Sequence, residues 1–66
     1  MQRDYIKNPQ GKILGFVETD SQGNKTAKTR DGRIVGYYKA KFGTTVTPSG
    51  KIVSRSDTVV SLIPMN

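Results

Sequence analysis

The sequence predicts an all-β protein: a small single-domain antiparallel meander of about six to seven short strands, closed into a small barrel or left as a curled sheet. Three observations carry that prediction. Turn-forming clusters recur about every ten residues. The segments between them are rich in β-branched and aromatic side chains. One phrase, Gly-Lys/Arg-Ile-Leu/Val-Gly/Ser, occurs three times in 66 residues.

The turn clusters are Asn8-Pro9-Gln10-Gly11, Asp20-Ser21-Gln22-Gly23-Asn24, Arg30-Asp31-Gly32, Lys41-Phe42-Gly43 and Pro48-Ser49-Gly50. Proline presets φ and glycine accepts the positive φ of a tight turn, so each cluster has a mechanism for reversing the chain. Strands are expected between them over 3–7, 12–19, 25–30, 33–40, 44–47 and 51–55. No segment before residue 56 carries a helical period. The tail admits two readings. Thr58, Val59 and Val60 are β-branched and suit a final strand. Alternatively, Asp57 caps a short helix that Pro64 stops, with Val59, Val60, Leu62 and Ile63 on its apolar face. Either way Val60, Leu62 and Ile63 are expected to be buried, in the core or against another subunit.

The repeated phrase stands in "NPQGKILGFVET", "TRDGRIVGYYKA" and "TPSGKIVSRSDT". Its first glycines are Gly11, Gly32 and Gly50, spaced 21 and 18 residues apart. Each unit amounts to a hairpin, giving repeats of roughly 5–24, 25–43 and 44–63 within one domain over 1–66. Lys12, Arg33 and Lys51 are expected at the solvent. Simple alternation sends Ile13, Ile34 and Ile52 inward and Leu14, Val35 and Val53 to the opposite face. Apolar residues on both faces imply that the second face is covered by the tail, by curling of the sheet, or by a partner subunit. The small residues Gly15, Gly36 and Ser54 mark a bulge, a bend or the close approach of another backbone. A phosphate-binding loop is excluded, because such loops open a helix and no helix follows these glycines.

This cadence over residues 5–63 resembles short, uncharacterised bacterial and phage- or plasmid-type proteins built from repeated G-[KR]-I-[LV]-G hairpins. In that pattern the last unit continues G-x-G-[ND]; here it reads Ser54-Arg55-Ser56-Asp57, so two glycines are replaced by serines. The resemblance implies a bacterial or mobile-element origin and carries no activity and no functional residues with it.

Five Ile, two Leu and six Val, with Tyr5, Phe16, Tyr37, Tyr38 and Phe42, make a thin core. With no cysteine and no histidine, neither a disulfide nor an ordinary zinc site can reinforce it, which leaves self-association as a means of stabilisation. The net charge of +6 suits an anionic partner, and equally suits a β protein that guards its edges with lysine. "MQRDYIKNPQ" lacks the apolar run of a signal peptide. The apolar stretch at 58–65 falls far short of the roughly 20 residues of a membrane helix. A soluble cytoplasmic protein without membrane association is therefore expected.

Catalysis is not expected. The usual nucleophile–base pairs are missing, and Glu18 and Asp20, the one close pair of acids, flank a turn where solvated carboxylates are ordinary. Asp31 and Asp57 are read as turn or cap residues. No cofactor, metal or small-molecule substrate is indicated. The first functional reading is a structural or protein-interaction module that forms a homo-oligomer or joins a larger protein assembly, using Val60, Leu62 and Ile63. The alternative is a nucleic-acid-binding sheet whose contacts are Lys25, Lys28, Arg30, Arg33, Tyr37, Lys39 and Lys41. Tyr37 and Tyr38 must point to opposite faces, so at most one of them is a natural stacking surface and at least one is expected in the core.

Overall fold

The computed structural model describes residues 2–63. Its strands are β1 (Gln2–Lys7), β2 (Ile13–Thr19), β3 (Lys25–Thr29), β4 (Ile34–Lys39), β5 (Thr44–Val46) and β6 (Ile52–Ser54), followed by a 3₁₀ turn over Val59–Leu62. All neighbours are antiparallel and the spatial order follows the chain, β1 through β6. The meander is thus an open sheet with β1 and β6 at its edges, not a barrel.

Four of the five hairpin connections share one hydrogen-bond scheme. At the β3–β4 turn, Gly32 N–H donates to the Thr29 carbonyl at 2.9 Å, and Thr29 N–H donates to the Arg33 carbonyl at 2.8 Å. The Thr29 side-chain oxygen then accepts from Arg33 N–H at 3.2 Å. Gly32 holds φ at 91°, a left-handed conformation that a Cβ would strain. Asn8, Asp20 and Thr47 open the other three turns in the same way, each with a side-chain oxygen accepting the N–H four residues on. A three-residue loop closed by a left-handed residue is a common hairpin solution, and Asn, Asp or Thr at its start supplies the extra acceptor.

After three of these turns the strand bulges at the same place. Ile6 faces Gly15 while Lys7 faces Ile13, which leaves Leu14 as the extra residue in β2. Val35 is extra in β4 between Gly36 and Ile34, and Val53 is extra in β6 between Ser54 and Ile52. An inserted residue interrupts the two-residue alternation and returns the following position to the same face. The expected orientation of the phrase is therefore inverted in the first two copies. Leu14 is buried and Val35 half-buried, whereas Ile13 and Ile34 are 39 % and 38 % exposed on the other face; in the third copy both Ile52 and Val53 are exposed.

The core lies on one face of the sheet. Leu14, Val17 and Ala27 meet Val59 and Ile63 of the tail, with Ile6, Val35, Tyr38 and Leu62 packed around them. The tail follows the helical alternative, not a seventh strand: Ser61 N–H bonds the Thr58 carbonyl at 3.0 Å and Ile63 N–H the Val60 carbonyl at 3.1 Å. Asp57 does not cap this turn, whose first position is Thr58 without a side-chain cap; the Asp57 carboxylate instead pairs with the Lys25 ammonium. Pro64, expected to stop the helix, lies outside the described residues.

The tail is also held by polar groups. The wholly buried Thr45 hydroxyl donates to the Ser56 carbonyl at 2.6 Å and accepts from Thr58 N–H at 3.1 Å. Ser54 bonds the Ser56 carbonyl at 3.1 Å and the Thr58 hydroxyl at 2.6 Å. The small residues of the phrase now have a cause. A Cβ on Gly15 would press into the Lys28 carbonyl and stand 3.0 Å from Ile63 Cγ2. One on Gly36 would meet Leu62 Cδ1 and stand 3.0 Å from the Val46 carbonyl oxygen. The first two copies leave room for apolar tail side chains; the third uses a serine to bind the tail's backbone.

Candidate functional site

With the tail on one face, the opposite face of the sheet is open. Its composition follows from the register. One cross-strand row runs Tyr5, Phe16, Lys28, Ile34, and the next runs Arg3, Glu18, Thr26, Tyr37, Val46. Ile13 stands beside Lys7, Lys39 beside Thr44, and Ile52 beside Val46. Among the described residues, four cations, Arg3, Lys7, Lys28 and Lys39, thus share this face with the single carboxylate of Glu18.

Phe16 is the centre of the denser half. Its ring lies 6.0 Å from that of Tyr5 with the planes inclined by 55°. The Arg3 guanidinium sits 4.7 Å and the Lys28 ammonium 5.9 Å from the Phe16 centroid. Glu18 ties the two cations together, accepting from Arg3 Nη2 at 2.9 Å and from Lys28 Nζ at 2.6 Å. The Lys28 bond, followed by the Arg3 bond, holds the Glu18 carboxyl below the usual carboxylate range. Tyr5 remains 53 % exposed, so the ring pair is accessible from solvent.

The other half is centred on Tyr37 and the β4–β5 turn. Lys39 Nζ lies 5.6 Å from the Tyr37 centroid and Lys41 Nζ lies 5.6 Å from that of Phe42. Phe42 is 70 % exposed at the rim of a shallow depression of about 510 Å³, whose floor and walls include Lys39, Val46, Ile52 and Arg55. Tyr5, Phe16, Tyr37 and Phe42 therefore belong to the open face and its rim, and Tyr38 alone among the aromatics packs against the core.

The seven residues expected to contact nucleic acid are not all brought together. Lys28, Tyr37 and Lys39 share the open face, and Lys41 adjoins it beside Phe42. Arg30 and Arg33 lie in the β3–β4 turn at one end of the sheet. Lys25 lies on the covered face, opposite Tyr38 and paired with Asp57, so it is not part of this surface. Of the residues expected at an oligomer interface, Ile63 is 1 % exposed and Leu62 half-buried within the chain's own core; only Val60 reaches the surface. The Glu18–Asp20 pair is divided too, because the Asp20 carboxylate accepts the N–H groups of Gln22 and Asn24 inside its turn.

Arg3, Tyr5, Lys7 and Phe16 were not foreseen as site residues. Parity along β1 places Arg3, Tyr5 and Lys7 on one face, but only the bulge after Ile13 shows that Phe16 shares it. No protein-family model, curated protein or solved structure matches this chain, and its function rests on the site's own chemistry. That chemistry offers the exposed rings of Tyr5 and Phe42 and the partly exposed rings of Phe16 and Tyr37 for stacking, with guanidinium or ammonium groups beside Phe16, Tyr37 and Phe42 for anions.

Proposed function

We propose that the protein is a non-catalytic binding module whose open sheet face takes single-stranded nucleic acid. The observation that supports this most directly is the coincidence of Tyr5, Phe16 and Tyr37 with Arg3, Lys7, Lys28 and Lys39 on one face of an antiparallel sheet. Base–aromatic stacking contributes about 1–3 kcal/mol per base and tolerates any sequence, while the cations track phosphates. No base-edge recognition is assigned, so the expected binding has little sequence preference.

Fluorescence anisotropy of labelled single-stranded DNA and RNA, titrated with protein at several salt concentrations, tests the proposal. Binding that weakens linearly in log salt, by about 0.7 per phosphate contacted, supports it. Absence of binding at low salt overturns it.

A second reading, self-association through the open face, is favoured by the three exposed isoleucines Ile13, Ile34 and Ile52. Face-to-face pairing would oppose the four cations of one copy to those of another, and each chain carries a net charge of +6. Sedimentation equilibrium separates the two. A dimer that dissociates when oligonucleotide is added places both on the same face, and a monomer at all concentrations removes the second.

A further inference from the structure

The three copies of the repeated phrase converge on one end of the sheet. In an up-and-down meander the β1–β2, β3–β4 and β5–β6 connections all fall at the same end. These are the turns followed by a cation. Lys12 N–H donates to Asn8 Oδ1 at 2.9 Å and its carbonyl accepts from Asn8 N–H at 3.0 Å. Arg33 is bound in the same double fashion to Thr29, and Lys51 to Thr47. One backbone frame therefore presents a cation at the same position three times, at the start of β2, β4 and β6.

Neighbouring strands lie about 4.8 Å apart, so the three cations step across the sheet at intervals of about 10 Å and span about 20 Å. All three residues are exposed, and none forms an ion pair among the described residues. The three cations alternate to the covered side of the sheet, as Thr29, the turn partner of Arg33, does opposite Gly15. The next residue along each strand is one of the exposed isoleucines on the open face, and the aromatics Phe16 and Tyr37 follow on β2 and β4. Lys7 and Arg30 reinforce the same end. Asp31 is the one acid in these three turns; the Thr29 hydroxyl donates to its carboxylate, which also feels the charge of Arg33 without forming an ion pair with it.

A regular row of unpaired cations along this end of the sheet, each adjoining an isoleucine of the apolar and aromatic face, suits a linear polyanion with flat apolar substituents. A small anion would use one of the three positions and leave the others without purpose. An anionic lipid surface would call for bulky apolar side chains at the turn tips, which instead carry Pro9, Gln10, Arg30, Asp31, Pro48 and Ser49. Building on the single-strand reading above, we infer that the sugar–phosphate backbone crosses the sheet at right angles to the strands along Lys12, Arg33 and Lys51. Its bases then pass over the end of the sheet onto the open face above Ile13, Ile34, Phe16 and Tyr37. The threefold repeat acts as a ruler for the bound strand.

Lys12→Gln, Arg33→Gln and Lys51→Gln, singly and combined, test this by anisotropy with oligothymidylates of increasing length. The hydrogen bonds that shape these turns use main-chain atoms of the three residues, so the variants keep the frame; thermal melting checks that they do. Each single change should make the dependence of log affinity on log salt shallower by about 0.7, and the triple change by about 2. Affinity in the unsubstituted protein should rise with oligonucleotide length until about 20 Å of strand is spanned, then level off. An unchanged salt slope in the triple variant, with binding still sensitive to Phe16 and Tyr37, overturns the backbone path and leaves the single-strand reading standing. Equal affinity for duplex overturns the turned-base arrangement. Failure of the unsubstituted protein to bind any strand removes both.

Discussion

The two faces of this sheet are made from the same repeated phrase and differ in what covers them. On the covered face the residues after each bulge are Gly15, Gly36 and Ser54, cut back so that the chain's own tail can lie against the sheet. On the open face the residues before each bulge are Ile13, Ile34 and Ile52, large and left in solvent. Burial stabilises the fold in proportion to apolar area removed from water, so the covered face supplies most of what holds this small chain together. The open face contributes little to that and carries nearly all the accessible aromatic surface. Stability and binding should therefore separate by face, and substitutions can be chosen to break that separation.

The largest expected effect is on the covered face. Ile63→Ala removes a side chain that is 1 % exposed and seated over Gly15, and should cost about 2–5 kcal/mol in thermal or urea unfolding. A loss below about 1 kcal/mol would mean that the tail does not form the lid of the core.

Adding a methyl group beneath the tail should come next. Gly15→Ala forces a Cβ against a backbone carbonyl that belongs to β3, and should destabilise by about 1–3 kcal/mol. Gly36→Ala chiefly meets the end of the Leu62 side chain, which can rotate aside, so its effect should be smaller. Melting curves of the two variants give the order directly. If Gly36→Ala proved the more damaging, the close fit of the tail over β4 would matter more than the backbone contact between β2 and β3.

These glycines show how far the sequence could be read. The strands and turns were legible because Pro, Gly, Asn and Asp punctuate segments of β-branched residues, and every described strand falls within two residues of its expected bounds. The repeat was legible as a hairpin unit. The facing of Ile13 and Leu14 was not, because one inserted residue reverses parity and nothing in Gly-Lys-Ile-Leu-Gly states where the insertion falls. The 3₁₀ turn of the tail starts from Thr58, whose N–H donates to the hydroxyl of Thr45 13 residues earlier, a contact that the local pattern of residues 56–63 does not display. The open-face site was half legible for the same reason. Lys28, Tyr37 and Lys39 follow from local alternation, whereas the partnership of Phe16 with Arg3 and Lys28 needs the cross-strand register.

On the open face the expected pattern reverses. Phe16→Ser and Tyr37→Ser should change unfolding free energy by no more than about 1 kcal/mol, because both rings already face solvent in part. Each should weaken single-strand binding by about 1–3 kcal/mol, read by anisotropy. A variant that lost stability and binding together would join the two faces into one structural unit and remove the contrast between them.

The smallest effect concerns Glu18, the one carboxylate that the described residues place among the open face's cations. Its folded-state pKa lies below the ordinary 4.5 because Lys28 and Arg3 donate to it. A depressed carboxylate stabilises the fold above its unfolded pKa and loses that contribution as pH falls through the folded value. The melting temperature should therefore decline below about pH 4.5, and Glu18→Gln should remove part of that decline, with Asp20 and Asp31 supplying the remainder. The exposed setting keeps this change slight. Binding should move the other way. The Glu18 oxygens occupy the places beside Arg3 and Lys28 that a phosphate would take, so Glu18→Gln at neutral pH frees both cations and should tighten single-strand binding with a steeper salt dependence. Weaker binding in that variant would show instead that the carboxylate holds Arg3 and Lys28 over the Phe16 ring in the arrangement a base requires, making Glu18 a positioning residue for the stacking surface.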